Sequence, residues 1–194
     1  MAAEIKIVEE ARKPLAMNPK KFALWLFMVS VAMLFAAWTS AYLVRRGEGD
    51  WFLFELPSLF WITSGLIVAS SFSMIYASWS ARKDDLQGLK TGIITTFVLG
   101  VAFLIGQWYA WGDLVAINAH FTGGNVSSSF IYVLTGFHGL HIISGLVFLI
   151  IVMISTFKFK VHSKNLNQLQ MCATYWHFLG GLWLYLFVFL LLNR

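Results

Sequence analysis

Charged side chains are scarce in this chain of 194 residues, where Asp, Glu, Lys and Arg together make up only 12%. A water-soluble domain carries roughly twice that fraction, about 25%. The charges occur in short clusters, and the residues between them form five uncharged stretches: 22–44, 56–81, 91–112, 114–157 and 165–193. Because about 20 apolar residues cross a bilayer as a helix, each stretch is long enough to span a membrane.

Residues that most catalytic and metal sites need are also missing. Cys172 is the only cysteine, which excludes an internal disulfide and a cluster of soft metal ligands. The uncharged stretches contain no Asp or Glu, so they offer neither the acidic chain of a proton pump nor a carboxylate metal site. The sequence also lacks an HExxH motif and a glycine-rich phosphate loop. We therefore expect no catalytic site in this chain.

The pattern of uncharged stretches predicts an all-α, polytopic membrane protein. A polar tail, residues 1–21, precedes a bundle of five transmembrane helices, residues 22–194. The tail lacks the apolar core of a secretory signal, so we expect the first helix to be retained. The segment INAHFTGGNVSSS, rich in Gly, Asn and Ser, predicts a loop between the third and fourth helices. The predicted helices lie near residues 22–44, 58–80, 91–112, 128–157 and 171–193.

Small residues recur at four-residue intervals in the first two predicted helices. Such stripes let helices approach closely in lipid, where van der Waals packing replaces the hydrophobic effect. They suit either the interior of a compact bundle or contact with a transmembrane helix of a partner. The residues are Ala32, Ala36 and Ser40 in the first helix, and Ala69, Ser73 and Ala77 in the second.

Three histidines fall inside the last two apolar segments. His138 and His141 are three residues apart, which places them on one face of the fourth helix. The fifth helix runs in the opposite direction. With a helical rise of about 1.5 Å per residue, His177 is expected at a membrane depth similar to that of His141. Ionisable groups inside a membrane usually face the bundle interior, so each of them calls for a functional hypothesis.

Four interpretations of these histidines are open from the residues alone. Neutral imidazoles could form interhelical hydrogen bonds to backbone carbonyls, Tyr175 or Ser144. Alternatively, His141 and His177, protonated near the inner interface, could hold a phospholipid phosphate. Haem or metal ligation and a proton relay are the third and fourth interpretations. The candidate lipid-binding or structural residues are His138, His141, His177, Trp176, Tyr175 and Gln107.

Two sequence blocks in the fourth and fifth predicted helices resemble those of a known family. TGFHGLHIISGLVFLI, followed some thirty residues later by YWHFLGGLWLYLFVF, resembles the last two helices of subunit III of the haem–copper oxidases. WLFMVSVAMLFAAWTSAYLVRR resembles the third helix of that family, and GQWYAW fits the segment after its fourth. Full-length members have seven helices. This chain is similar to a short bacterial form with five, which begins at the third.

The resemblance implies a non-catalytic subunit of a proton-pumping terminal oxidase that reduces O2 to water. Such a subunit binds beside subunit I and the other oxidase subunits, holds phospholipids at the interface and keeps proton uptake efficient. Haem and copper are then expected in partner subunits and not in this chain, and the chain is expected in the bacterial inner membrane. Membership of a respiratory supercomplex is compatible with this role. The alternative is the five-helix accessory subunit of nitric oxide reductases, which shares the histidine blocks.

The chain departs from the family at three positions where many members carry an acid. Val31, Gln170 and Gly180 occupy those positions here. We therefore expect no proton buffering by acids at these sites. The first two family helices, which form one wall of its lipid cleft, also have no counterpart, so we expect lipid binding to differ unless another chain supplies that wall.

The basic residues predict the orientation of the chain. Eleven of the fourteen lie in the tail and in the second and fourth connections, and only Arg45, Arg46 and Arg194 lie on the other side. The positive-inside rule then places the N-terminus in the cytoplasm and the C-terminus outside. The net charge of +5 reflects this topology, so no nucleic-acid partner is expected.

Reporter fusions test this orientation. A cytoplasm-active fluorescent reporter should be bright at the N-terminus and dark at the C-terminus, and a periplasm-active phosphatase should give the reverse pattern. Bright fluorescence at both ends would rule out an odd number of spans.

Overall fold

A computed structural model of the chain describes residues 18–49, 57–117, 121, 126–157 and 166–193. Within these ranges every regular element is an α-helix, and each of the five helices is long and apolar enough to cross a membrane. The prediction of an all-α protein with five membrane-spanning helices is confirmed. The helices are α1 (Pro19–Arg46), α2 (Leu59–Arg82), α3 (Leu86–Ala116), α4 (Val126–Phe157) and α5 (Asn167–Asn193).

Capping residues determine where two helices begin. Asn18 accepts a hydrogen bond from the backbone N–H of Lys20, and Pro19 follows it, so α1 begins before the predicted residue 22. Asp85 accepts hydrogen bonds from the N–H groups of residues 87 and 88, so α3 begins at Leu86 and not at residue 91. Residues 1–17 of the predicted polar tail, residues 118–120 and 122–125 of the predicted loop, and Arg194 lie outside the described residues.

Four of the helices form a closed ring, and α1 lies outside it. In the ring, α2 packs against α3, α3 against α4, α4 against α5, and α5 against α2. α1 packs against α4 and α5 and, within the described residues, does not contact α2 or α3. Consequently α1 and α2 flank α5 on its outer side, and a groove remains between them.

Hydrogen bonds at both ends and in the middle attach α1 to α5. The N-terminal end is held by Lys21, and the C-terminal end by Arg46, which donates to the side-chain oxygen of Asn193. The pairs are Lys21–Gln170 at 3.1 Å, Thr39–Tyr185 at 2.9 Å and Arg46–Asn193 at 2.9 Å. α1 is therefore aligned along the whole length of α5 although it lies outside the ring.

Small residues bring α2 and α3 into close contact. A Cβ atom added to Gly92 would lie 2.7–2.9 Å from atoms of Ala77, two of which belong to the backbone. Ser73 and Thr96 share a hydrogen bond of 2.7 Å across the same interface. Ala69 is exposed on the outer side of α2.

The small residues of α1 lie on its outward face. Ala32, Ala36 and Ser40 are exposed, whereas the buried residues of this helix include Phe35 and Thr39. A contact between this stripe and another chain stays a prediction.

Large apolar side chains cover the outside of the bundle. Phe72, Trp108 and Leu192 are 68%, 72% and 74% exposed. An apolar surface of this extent would cause aggregation in water, whereas it matches a hydrocarbon environment.

Gly92→Ala should weaken the contact between α2 and α3. The added methyl group meets backbone atoms that cannot rotate away, and such overpacking costs about 1–3 kcal/mol. The free energy of unfolding, measured by denaturant titration in detergent micelles, should fall by that amount. The matched control is Gly112→Ala in the same helix, where an added Cβ meets no atom within 4 Å and stability should not decrease. Equal losses in the two variants would contradict this description of the interface.

Candidate functional site

His138 is fully buried in a cage of aromatic rings in the centre of the bundle. Its ring centroid lies 6.3 Å from that of Phe35, 6.1 Å from that of Phe103 and 5.2 Å from that of Trp183. Neither ring nitrogen has a hydrogen-bond partner among the described residues. The cage therefore surrounds the imidazole with π-systems contributed by α1, α3 and α5 and supplies no polar atom to it.

His141 lies one turn further along α4 and contacts α1. Its Nδ1 atom is 2.7 Å from the carbonyl oxygen of Phe137 in its own helix, and its ring packs edge-on against Phe35 at 5.7 Å between centroids. The two other residues proposed as histidine partners bond to each other, because Ser144 Oγ and Tyr175 OH are 2.7 Å apart. This bond joins α4 to α5.

His177 has different surroundings from His141. It is half-buried and lines the groove between α1 and α2, together with Ile75. Within the part of the chain that the structure describes, no hydrogen bond or ring contact joins His141 and His177, although the sequence places them at a similar depth. A phosphate held by both rings stays a prediction.

Two buried tryptophans of α5 donate hydrogen bonds to serines of α2. The indole Nε1 of Trp176 donates to Ser70 Oγ, and that of Trp183 donates to Ser64 Oγ, both at 3.0 Å. Trp176 was among the residues expected from the sequence, whereas its partner and Trp183 were not. The available signal was the row of hydroxyl residues in α2, at positions 63, 64, 70, 71, 73, 78 and 80.

Glycines on two neighbouring helices make room for Trp176. A Cβ added to Gly100 of α3 would lie 2.6 Å from its ring, and one added to Gly145 of α4 would lie 3.3 Å from it. This tryptophan thus contacts α2, α3 and α4 from its position on α5.

Gln107, in the C-terminal third of α3, joins this helix to α2. Its Nε2 atom donates to Thr63 Oγ1 at 2.9 Å, and its Oε1 atom has no partner among the described residues. Gln107 thus connects two helices of the ring.

The groove between α1 and α2 has a polar end and an apolar end. The polar end is a cavity of about 600 Å³ lined by Lys21, Arg82, Ser78, Gln170 and Thr174, among others. The apolar end, about 310 Å³, runs along α2 and α5 past Gly180 and Gly181. Both parts are lined by Ile75 and His177, so they form one continuous groove. This groove was not expected from the sequence.

Metal-binding side chains do not cluster in the described residues. No group of three or more His, Cys, Asp or Glu residues in these ranges is arranged to hold a metal ion. The expectation that haem and copper reside in partner subunits stays a prediction.

Comparison of the sequence with known proteins identifies a family. The family model described as Cytochrome c oxidase subunit III matches residues 53–193. The chain is 29% identical to cytochrome c oxidase subunit 3 of Bacillus sp. (strain PS3), covering 87% of this chain and 83% of that protein. It is 29% identical to the probable quinol oxidase subunit 3 of Staphylococcus saprophyticus, covering 88% and 87%.

A third relative reaches slightly higher identity. The probable cytochrome c oxidase subunit 3 of Nocardia farcinica is 30% identical, and the match covers 84% of this chain and 82% of that protein. The resemblance carried by the two histidine blocks is confirmed. Because the family model takes in well over half of the sequence, the chain belongs to the cytochrome c oxidase subunit III family.

Proposed function

We propose that the chain is the non-catalytic subunit III of a proton-pumping terminal oxidase that reduces O2 to water. The observation that carries this proposal is the family match over residues 53–193. As part of such a complex, the chain binds beside the catalytic subunit I and stabilises it. The named relatives are all bacterial, which supports a location in the bacterial cytoplasmic membrane.

The use of polar groups inside the bundle supports a structural role. The indole of Trp176 and the amide of Gln107 donate to hydroxyl groups of α2, and Tyr175 bonds to Ser144 of α4. These contacts hold the ring rigid, and a rigid, apolar outer surface suits attachment to another membrane subunit. Catalysis of oxygen reduction then belongs to the partner that carries haem and copper.

Two further parts of the proposed role concern the environment of the catalytic subunit. The chain holds phospholipids at the interface, and it keeps proton uptake efficient so that the oxidase is protected from inactivation during turnover. Val31, Gln170 and Gly180 offer no carboxylate, so this support comes from packing and lipid and not from acids on the chain at these positions.

Purification through a tag on the N-terminal tail tests the proposed assembly. In mild detergent, a large partner with haem and copper should accompany the chain. Removing the chain should reduce the number of turnovers that the oxidase completes before it is inactivated. A partner with haem b and non-haem iron but no copper would instead indicate that the chain is an accessory subunit of a nitric oxide reductase. Oxygen consumption with reduced cytochrome c or with quinol then identifies the electron donor.

Substitution of the histidines tests their non-catalytic role. His141→Leu and His177→Leu should leave the haem content of the purified oxidase unchanged. His141→Leu removes the hydrogen bond to the carbonyl of Phe137 on the surface of α4, and His177→Leu removes a polar ring from the groove, so each should increase the loss of the chain or of its lipids in detergent. The control is His120→Leu, in the predicted Gly- and Ser-rich loop outside the described residues, which should change neither quantity. Loss of haem in either helix variant would contradict the proposal.

A further inference from the structure

We propose that the groove between α1 and α2 binds one anionic phospholipid, with its headgroup at Lys21 and Arg82 and an acyl chain along the glycines of α5. This inference deepens the proposed function, because it assigns the bound lipid a site and a charge. It concerns a groove of this chain alone, so it stands or fails independently of which enzyme the chain accompanies.

The polar end of the groove is cationic. Lys21 and Arg82 line it, and none of its described lining residues is Asp or Glu. Lys21 Nζ is oriented by its hydrogen bond of 3.1 Å to Gln170 Oε1, and Arg82 makes no hydrogen bond or ion pair within the described ranges. An ammonium and a guanidinium at one membrane face attract an anionic headgroup, and the guanidinium can bind a phosphate through two parallel hydrogen bonds.

Neutral polar groups complete this end of the groove. Ser78 and Thr174 line the cavity at this end, and Ser78 Oγ, which is buried, has no hydrogen-bond partner in the described part of the chain. The side chains of Trp25 and Trp79 line the same cavity and are 58% and 53% exposed. Tryptophan at this level is typical of the boundary between hydrocarbon and headgroups. The headgroup end of the groove therefore lies where the headgroups of the bilayer lie.

The apolar end of the groove fits an acyl chain. It begins at Ile75 and His177, where the polar end stops, and continues between Phe72 and Leu184. A Cβ added to Gly181 would meet no atom within 4 Å, so the absence of a side chain there leaves open space. The direction from Lys21 and Arg82 towards the middle of the bundle is the direction in which a phospholipid extends from its phosphate.

The charge of the polar end favours lipid over a helix from another protein. An anionic phospholipid brings a phosphate to Lys21 and Arg82 and an apolar chain to the apolar end. A partner helix would have to bring its own acid to the cationic end.

The test uses the full chain in its purified complex, titrated with phosphatidylglycerol and separately with phosphatidylcholine, with bound lipid counted by native mass spectrometry. We expect tighter binding of phosphatidylglycerol. Arg82→Gln and Lys21→Gln should each weaken it about fivefold, which corresponds to the contribution of one cation near a membrane surface. The matched control is Lys90→Gln, which removes a cation from the α3–α4 side, where Lys90 lies over the ring of Phe157, and should change nothing.

A second pair of variants tests the acyl end. Gly181→Leu fills the open space and should reduce binding of both lipids by at least fivefold, whereas Gly112→Leu, also in open space but on α3, should not. Thermal unfolding of each variant shows whether the bundle is intact.

Several outcomes would overturn the site. They are equal binding of the two lipids, an equal loss with Lys90→Gln, unchanged binding by Gly181→Leu, or displacement of the lipid by inorganic phosphate alone. A cross-link from Gly181→Cys to a partner helix would assign the groove to that helix. Absence of a co-purified oxidase would refute the proposed function but not this site, because lipid is counted per chain.

Discussion

The indole N–H groups of Trp176 and Trp183 are buried inside the bundle, so only another helix can accept their hydrogen bonds. Ser70 and Ser64 of α2 provide those acceptors. An unsatisfied polar group in hydrocarbon is costly, so these two bonds favour one rotational setting of α2 against α5. Leucine packing alone would leave that setting less well determined, since lipid tails are as apolar as the side chains they would replace.

The rest of the ring follows from the space that these tryptophans need. Gly100 and Gly145 make room for the ring of Trp176 on α3 and α4, and Gly92 lets α3 approach Ala77 of α2. With the ring closed, α1 packs on α4 and α5, and within the described residues no Cα atom of α1 lies within 8 Å of one in α2 or α3. The groove beside α1 is thus a consequence of a four-helix ring with a fifth helix attached on one side.

Much of the fold could be predicted from the sequence, because the hydrocarbon thickness imposes a length on every span and the charges mark the ends. The helix starts were harder. Asp85 begins α3 within a polar segment because its side chain caps the helix, and hydropathy does not detect this effect. The candidate site was predicted only in part. Trp176, Tyr175 and Gln107 are interhelical donors or partners, but the acceptors on α2 and the burial of Trp183 depend on how helices rotate about their axes.

The groove could not be predicted for a related reason. Lys21, Arg82 and Gln170 belong to three helices that are distant in sequence, and each one alone resembles an ordinary end of a transmembrane helix. Only the arrangement of α1 outside the ring brings them to one cavity. The histidines were conspicuous because they are rare in apolar segments, and rarity does not indicate what surrounds them: His138 lies among rings, whereas His177 lines the groove.

The position of α1 also has a consequence for how the protein is made. α1 is synthesised before the other four helices, yet its neighbours in the bundle are α4 and α5, the last two. About 120 residues separate Arg46 from Asn167, and at typical elongation rates their synthesis takes on the order of ten seconds. Until α4 has been made, none of the helices that α1 packs against is present. Although α1 is made before the other four helices, its hydrogen bonds to α5 can form only after α5 has been synthesised, so they complete the bundle.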